Sequence, residues 1–111
     1  NTYNYDFYIN TKDNNKLKID VKTKTTGVRP LDYYECSVAE YNTKQKCDVY
    51  VFTRILYSLK KIWILGWLPK QDYFNESTFL KKGTVDEDNG YKVKASCYNL
   101  KIDKLNLMEN L

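Results

Sequence analysis

The chain has 111 residues, 18 of them Lys or Arg and 14 Asp or Glu, giving a net charge of +4, and it contains no histidine. That length suits a single domain burying about two thirds of its unfolded surface, and the longest apolar stretch, Ile62 to Leu68, falls well short of the roughly 18 to 20 residues of a membrane-spanning helix. Without imidazole there is no histidine-based zinc site, Ser-His-Asp triad or imidazole base, and Cys36, Cys47 and Cys97, an odd set without a Cys-x-x-Cys pair, read as reduced thiols in a cytoplasmic compartment.

In chain order, Tyr5, Phe7 and Ile9 alternate with Asp6, Tyr8 and Asn10, and Leu17, Ile19 and Val21 alternate with Lys18, Asp20, Lys22 and Lys24. Alternation of this kind marks strands with one apolar face. The polar link from Thr11 to Lys16 favours a turn, so the two segments are expected to form a β-hairpin. Arg29-Pro30 ends the second strand. Asp32 followed by Glu35, with Tyr34, Val38 and Tyr41 at helical spacing, predicts a helix, with a short strand around Ser37 to Ala39 as the competing reading. Cys47 to Leu56 and Lys60 to Leu68 are rich in Val, Ile, Tyr, Phe and Trp and are the expected central strands. Being apolar on both faces, they require cover from helices or loops.

Beyond Pro69, Lys70 to Leu80 is expected to form a short helix, Tyr91 to Asn99 a strand, and Lys101 to Leu111 a closing helix through Leu105, Met108 and Leu111. The acidic run Asp86 to Gly90 has the look of part of a calcium loop but lacks its closing Glu, and reads as a turn.

The hairpin carries the chemistry. Asp6 on one strand and Asp20 on the next, both off the apolar stripe, can share one hard divalent cation through oxygen ligands. Lys22 falls two residues beyond Asp20 on the same side, where its ammonium can orient an attacking water or stabilise a pentavalent transition state. A phosphodiester repels its nucleophile, and a cation that neutralises developing charge and acidifies water relieves that repulsion. Lys22, Lys24, Arg29, Lys44 and Lys46 flank the same region and are candidates for gripping a nucleic-acid backbone.

Asp6 followed by Asp20-Val21-Lys22 resembles the PD-(D/E)XK, or restriction-endonuclease-like, nuclease superfamily, and the strings Asp48 to Phe52 and Ile62 to Trp67 are similar to the strands that follow the active-site hairpin in its phage and restriction-type members. The resemblance spans roughly the first two thirds of the chain. It implies an α/β or α+β fold with a central mixed β-sheet flanked by short helices, Asp6, Asp20 and the Val21 backbone carbonyl as metal ligands, and Lys22 as the catalytic lysine. It further implies Mg²⁺ or Mn²⁺ as cofactor, DNA more than RNA as partner, no membrane, and a homodimer where both strands are cut. Many members carry a Glu on a helix ahead of the first strand. Only five residues precede Asp6 here, so that helix is expected to be missing from this chain, with Glu35 and Glu40 as candidate third acids. The expected activity is therefore metal-dependent hydrolysis of DNA. Two other classes compete with it: a non-catalytic nucleic-acid-binding module of the same fold, and a small β-rich interaction scaffold.

Overall fold

Side-chain alternation along two long segments sets the architecture. A computed structural model describes residues 3–85, 90 and 92–111. Strands β1 (Phe7–Asn10), β2 (Lys16–Thr26), β4 (Val49–Leu56) and β5 (Ile62–Pro69) form one sheet in the order β1-β2-β4-β5. β1 and β2 are the expected antiparallel hairpin, with Phe7 opposite Ile19. β2 and β4 run parallel, with Asp20 beside Tyr50, Lys22 beside Phe52 and Lys24 beside Arg54. β5 returns antiparallel to β4, so the sheet is mixed. A second, antiparallel sheet of β3 (Glu35–Ala39), β7 (Cys97–Lys101) and β6 (Thr78–Leu80) in the order β3-β7-β6 accompanies it. One α-helix, α1 (Lys70–Glu76), completes an α+β fold.

A parallel pair needs a long crossover, usually helical. Here residues 27–48 supply it without an α-helix: the segment predicted as a helix from Asp32 onward is β3 followed by a 3-10 turn, Glu40–Asn42. Cys36 and Val38 both point into the core, at 4% and 0% exposure, while Ser37 between them is exposed. That period of two satisfies the core, and β7 supplies the ladder hydrogen bonds from 62 positions away, Ser37 opposite Asn99. The strand alternative therefore holds and the helix does not.

Other boundaries differ in the same sense. The helix expected over residues 70–80 stops at Glu76, and Thr78–Leu80 pairs with β7 instead. The closing helix expected over 101–111 is replaced by two 3-10 turns, Ile102–Lys104 and Met108–Asn110. Between them Asn106 pairs with Trp67: its N–H donates to the Trp67 carbonyl at 2.9 Å and its carbonyl accepts from the Trp67 N–H at 3.0 Å. The indole N–H of Trp67 donates to the Leu107 carbonyl at 3.0 Å. Most of the turn expected at 86–90, and the beginning of the strand expected from Tyr91, lie outside the described residues.

Two apolar clusters form on opposite faces of the four-stranded sheet. Tyr50, Phe52 and Leu68 pack with Cys36, Val38, Leu100 and Tyr73 of α1 to make the main core between the sheets. Ile19, Val49 and Val51 lie on the other face, covered by Leu17, Val21, Trp67 and Met108. The expectation that one face of β2 packs while the other stays free for chemistry is corrected here. Because β2 sits between β1 and β4 and both sheet faces are covered, Asp20 falls on the face of Tyr50 and Phe52 and is only 3% exposed.

Candidate functional site

The site is assembled where β1 begins against β2. Asp6 precedes β1; its backbone N–H donates to the Ile19 carbonyl at 2.9 Å, and its carboxylate oxygen Oδ2 accepts from the Val21 N–H at 2.7 Å. The side chain thus caps β2 where the β1 ladder stops. Backbone groups along a strand alternate between its two neighbours. Ile19 and Val21 present theirs to the β1 side, so the Val21 carbonyl opens toward the edge where Asp6 stands.

Asp20 Oδ2 lies 2.8 Å from Lys22 Nζ, and the same ammonium donates to Gln45 Oε1 at 2.8 Å. It also stands over the Tyr50 ring, 5.5 Å from the centroid, a cation–π distance. Burial lifts the Asp20 carboxyl above its usual range; the hydrogen bond and charge of Lys22 pull it down, and the charge of Asp6 pushes it up again. The charge of Asp6 thus reaches Asp20, and the lysine stands beside Asp20.

Gln45 joins the candidate site without any signal in the sequence pattern. It is buried, at 5% exposure, accepts from Lys22 through Oε1 and donates through Nε2 to the Tyr3 carbonyl at 2.6 Å. Lys70, at the start of α1, donates to the Gln45 carbonyl. Gln45 therefore ties the residues before β1 to β2 and α1, and fixes the direction of the Lys22 ammonium. Its position in a polar loop, 23 residues from Lys22, gave no signal in the sequence.

Tyr50 forms the floor. Its ring is fully buried and its hydroxyl lacks a hydrogen-bond partner of ordinary geometry among the described residues, with the Cys47 thiol as its polar neighbour. Burial raises the Tyr50 hydroxyl and the Cys47 thiol alike, and the charge of Asp20 adds to both. A buried hydroxyl without a partner, close to a carboxylate, is a place where a water or ion completes the hydrogen bonding.

Asp6 and Asp20 each have a carboxylate oxygen beyond the one engaged with Val21 N–H or Lys22, and the Val21 carbonyl points to the side of β2 where Asp6 stands. Among the described residues no group of three Cys, Asp or Glu side chains is placed to hold an ion. Glu35 lies at the start of β3, where it lines a small cavity with Lys22, Lys24 and Arg54, and Glu40 lies in the exposed 3-10 turn that follows β3. Of the candidate backbone contacts, Lys22 is committed to Asp20 and Gln45; Lys44 and Lys46 are exposed on either side of Gln45; Lys24 lines a cavity; and Arg29 is exposed in the link after β2. Among the described residues none of the three cysteines is in a disulfide. No described helix is long and apolar enough to cross a membrane.

Comparison with known proteins returns no match to a family model, a curated protein or a solved structure.

Proposed function

We propose that this chain carries a metal-dependent nuclease site of restriction-endonuclease-like type, acting on the phosphodiester bonds of DNA. The observation that carries the reading is the placement of Lys22 Nζ 2.8 Å from Asp20 on a central strand, with Asp6 near enough to perturb the Asp20 carboxyl. Asp6, Asp20 and the Val21 carbonyl would hold Mg²⁺ or Mn²⁺, which when bound neutralises charge on a phosphoryl oxygen and acidifies water. Lys22, fixed between Asp20 and Gln45, would donate a hydrogen bond to a phosphate oxygen or the attacking water as charge develops. Lys44 and Lys46, exposed beside Gln45, would hold the strand by its backbone.

A second reading has its own support. Asp20 is 3% exposed and already paired with Lys22, which is what a structural ion pair in a non-catalytic nucleic-acid-binding module would look like. Incubation of plasmid and linear DNA with Mg²⁺ or Mn²⁺ separates the two. Nicking by the wild type that EDTA stops, and that Asp6→Asn and Lys22→Ala each reduce at least about a hundredfold, supports the nuclease. Asp6→Asn is the decisive variant because its side chain is exposed and its loss spares the core. Salt-sensitive DNA binding without cleavage, unchanged in Asp6→Asn, assigns the module instead.

A further inference from the structure

A second constellation lies further along the same strands. The polar face of β2 and β4 runs from Asp20 and Lys22 to the neighbours Lys24 and Arg54, where a cavity of about 1170 Å³ opens. Among the described residues its walls carry four cations, Lys24, Arg54, Lys94 and Lys101, and one carboxylate, that of Glu35. Tyr33 and Tyr34 stand at its side with ring centroids 5.1 Å apart, edge to face.

Arg54 is the unusual member. Only 5% exposed, it donates from one terminal nitrogen to the Glu35 carbonyl at 2.8 Å and rests its guanidinium 5.3 Å from the Tyr34 ring centroid. Among the described residues it forms no ion pair, so a full buried charge with five N–H donors faces the cavity holding one hydrogen bond. Burying a guanidinium without a counter-anion is costly. An anion from outside, bound bidentately, would offset that cost in the geometry that suits arginine best, a phosphate or carboxylate fork. Lys24 and Lys101, both exposed, reach the same space.

The aromatic wall narrows the class of anion. Arg54 occupies Tyr34, while Tyr33 is 59% exposed and its ring is available for stacking. Ser37 and Asn99, opposite each other on β3 and β7, line the same wall; the Ser37 hydroxyl donates to Asn99 Oδ1, which leaves the amide NH2 of Asn99 as the donor for a ligand. A cationic groove with an open aromatic ring and neutral hydrogen-bonding groups is the combination that holds a nucleotide by its phosphate and its base.

We propose that this cavity binds a nucleotide unit, with Arg54 and Lys24 on the phosphate and Tyr33 stacked on the base. The site lies further along the strands than the Asp6 and Asp20 pair, with Lys22 lining a small cavity that adjoins it, and does not depend on the pair taking up a cation.

Binding in EDTA tests it apart from any cleavage: fluorescence anisotropy with a labelled single-stranded oligothymidylate, and calorimetry with adenosine monophosphate. Saturable binding is expected. Tyr33→Ala is expected to weaken it about tenfold, and Lys24→Glu with Lys101→Glu at least about tenfold, both at exposed positions that leave folding intact. Lys60→Glu with Lys61→Glu, exposed between β4 and β5, is the charge-matched control and should change binding by less than about threefold. Uptake of the free monophosphate identifies a small-molecule site, and uptake of the oligonucleotide alone identifies a strand-binding subsite; either supports the proposal. Failure of the wild type to bind both probes, variants that bind as wild type, or a control weakened as much as the cavity variants would overturn it.

Discussion

The two faces of the four-stranded sheet contrast in how they treat polarity. On the inner face Asp20, Lys22 and Arg54 are interleaved with Tyr50, Phe52 and Leu68, and the charges are buried among the aromatic rings of the main core. On the outer face the corresponding positions are Ile19, Val21, Thr23, Val49, Val51 and Thr53, with neutral contacts such as the 2.8 Å hydrogen bond between the Thr23 and Thr53 hydroxyls. The inner face is held by a second sheet and a helix, the outer by a C-terminal strap. Of the charges on the inner face, Asp20 and Lys22 are paired with each other and Lys22 with Gln45, whereas Arg54 holds one hydrogen bond and a ring.

The largest effect should come from the residue that fastens the inner face. The Tyr73 hydroxyl lies 2.8 Å from the Cys36 carbonyl and 2.9 Å from that of Tyr98, and the ring packs on Phe52 and Tyr50 at 5.2 and 5.8 Å. Tyr73→Ala is expected to cost about 3–5 kcal/mol in urea unfolding. Tyr73→Phe, keeping the ring, should cost about 1–2 kcal/mol. A loss as small for alanine as for phenylalanine would mean that the inner face is not the main core.

Breaking the ion pair comes next. Lys22→Ala leaves Asp20 buried without its counter-charge and is expected to destabilise by about 3 kcal/mol at neutral pH. The sign of its pH dependence follows from the raised Asp20 carboxyl. A group that holds its proton more tightly folded than unfolded contributes stability that is fully present below the unfolded pKa and is lost as pH rises through the folded one. Removing Lys22 takes away the largest lowering influence and lifts that carboxyl further. The gap between Lys22→Ala and wild type should therefore narrow on acidification, as Asp20 takes up its proton, and carbonyl NMR titration should show the Asp20 midpoint moving up. A constant gap across the acid range would show that the pair is exposed in solution.

The C-terminal strap that pairs with the edge of β5 should respond less, and the outer face least. Gly66 adopts φ +150°, and a Cβ there would sit 2.5 Å from the Asn106 carbonyl oxygen and 2.8 Å from Leu105 Cβ. Gly66→Ala is expected to cost about 1–3 kcal/mol, with faster amide exchange at Trp67 and Asn106 and little change at Asp20. Thr23→Ala, which removes the hydroxyl pair with Thr53, should cost least, about 0.2–1 kcal/mol by thermal unfolding. Equal losses for Thr23→Ala and Lys22→Ala would erase the distinction between the faces.

Much of this sheet is legible in local pattern. The period of two over Leu17 to Lys24, the turn-rich link before it and the β-branched and aromatic strings at Val49 and Ile62 announce β1, β2, β4 and β5 because strand faces are written into neighbouring residues. β3 was harder: Tyr34, Val38 and Tyr41 fit a helical stripe as well as Cys36 and Val38 fit a strand, and only β7, distant in sequence, tips the balance. The C-terminal segment fits a helix by spacing, yet Asn106 gives its backbone groups to Trp67. In both places a long-range ladder outcompetes short-range helical bonds.

The sequence by itself determined the hairpin, the central strands and the spacing that puts an acid and a lysine on one side of β2, since these depend on alternation alone. Tertiary structure decided that this side faces inward, that Gln45 holds Lys22, and that Arg54 meets Tyr34 at a cavity. The physical reason is that alternation tells which residues share a face, whereas burial, hydrogen-bond partners and charge neutralisation depend on what the rest of the chain lays over that face.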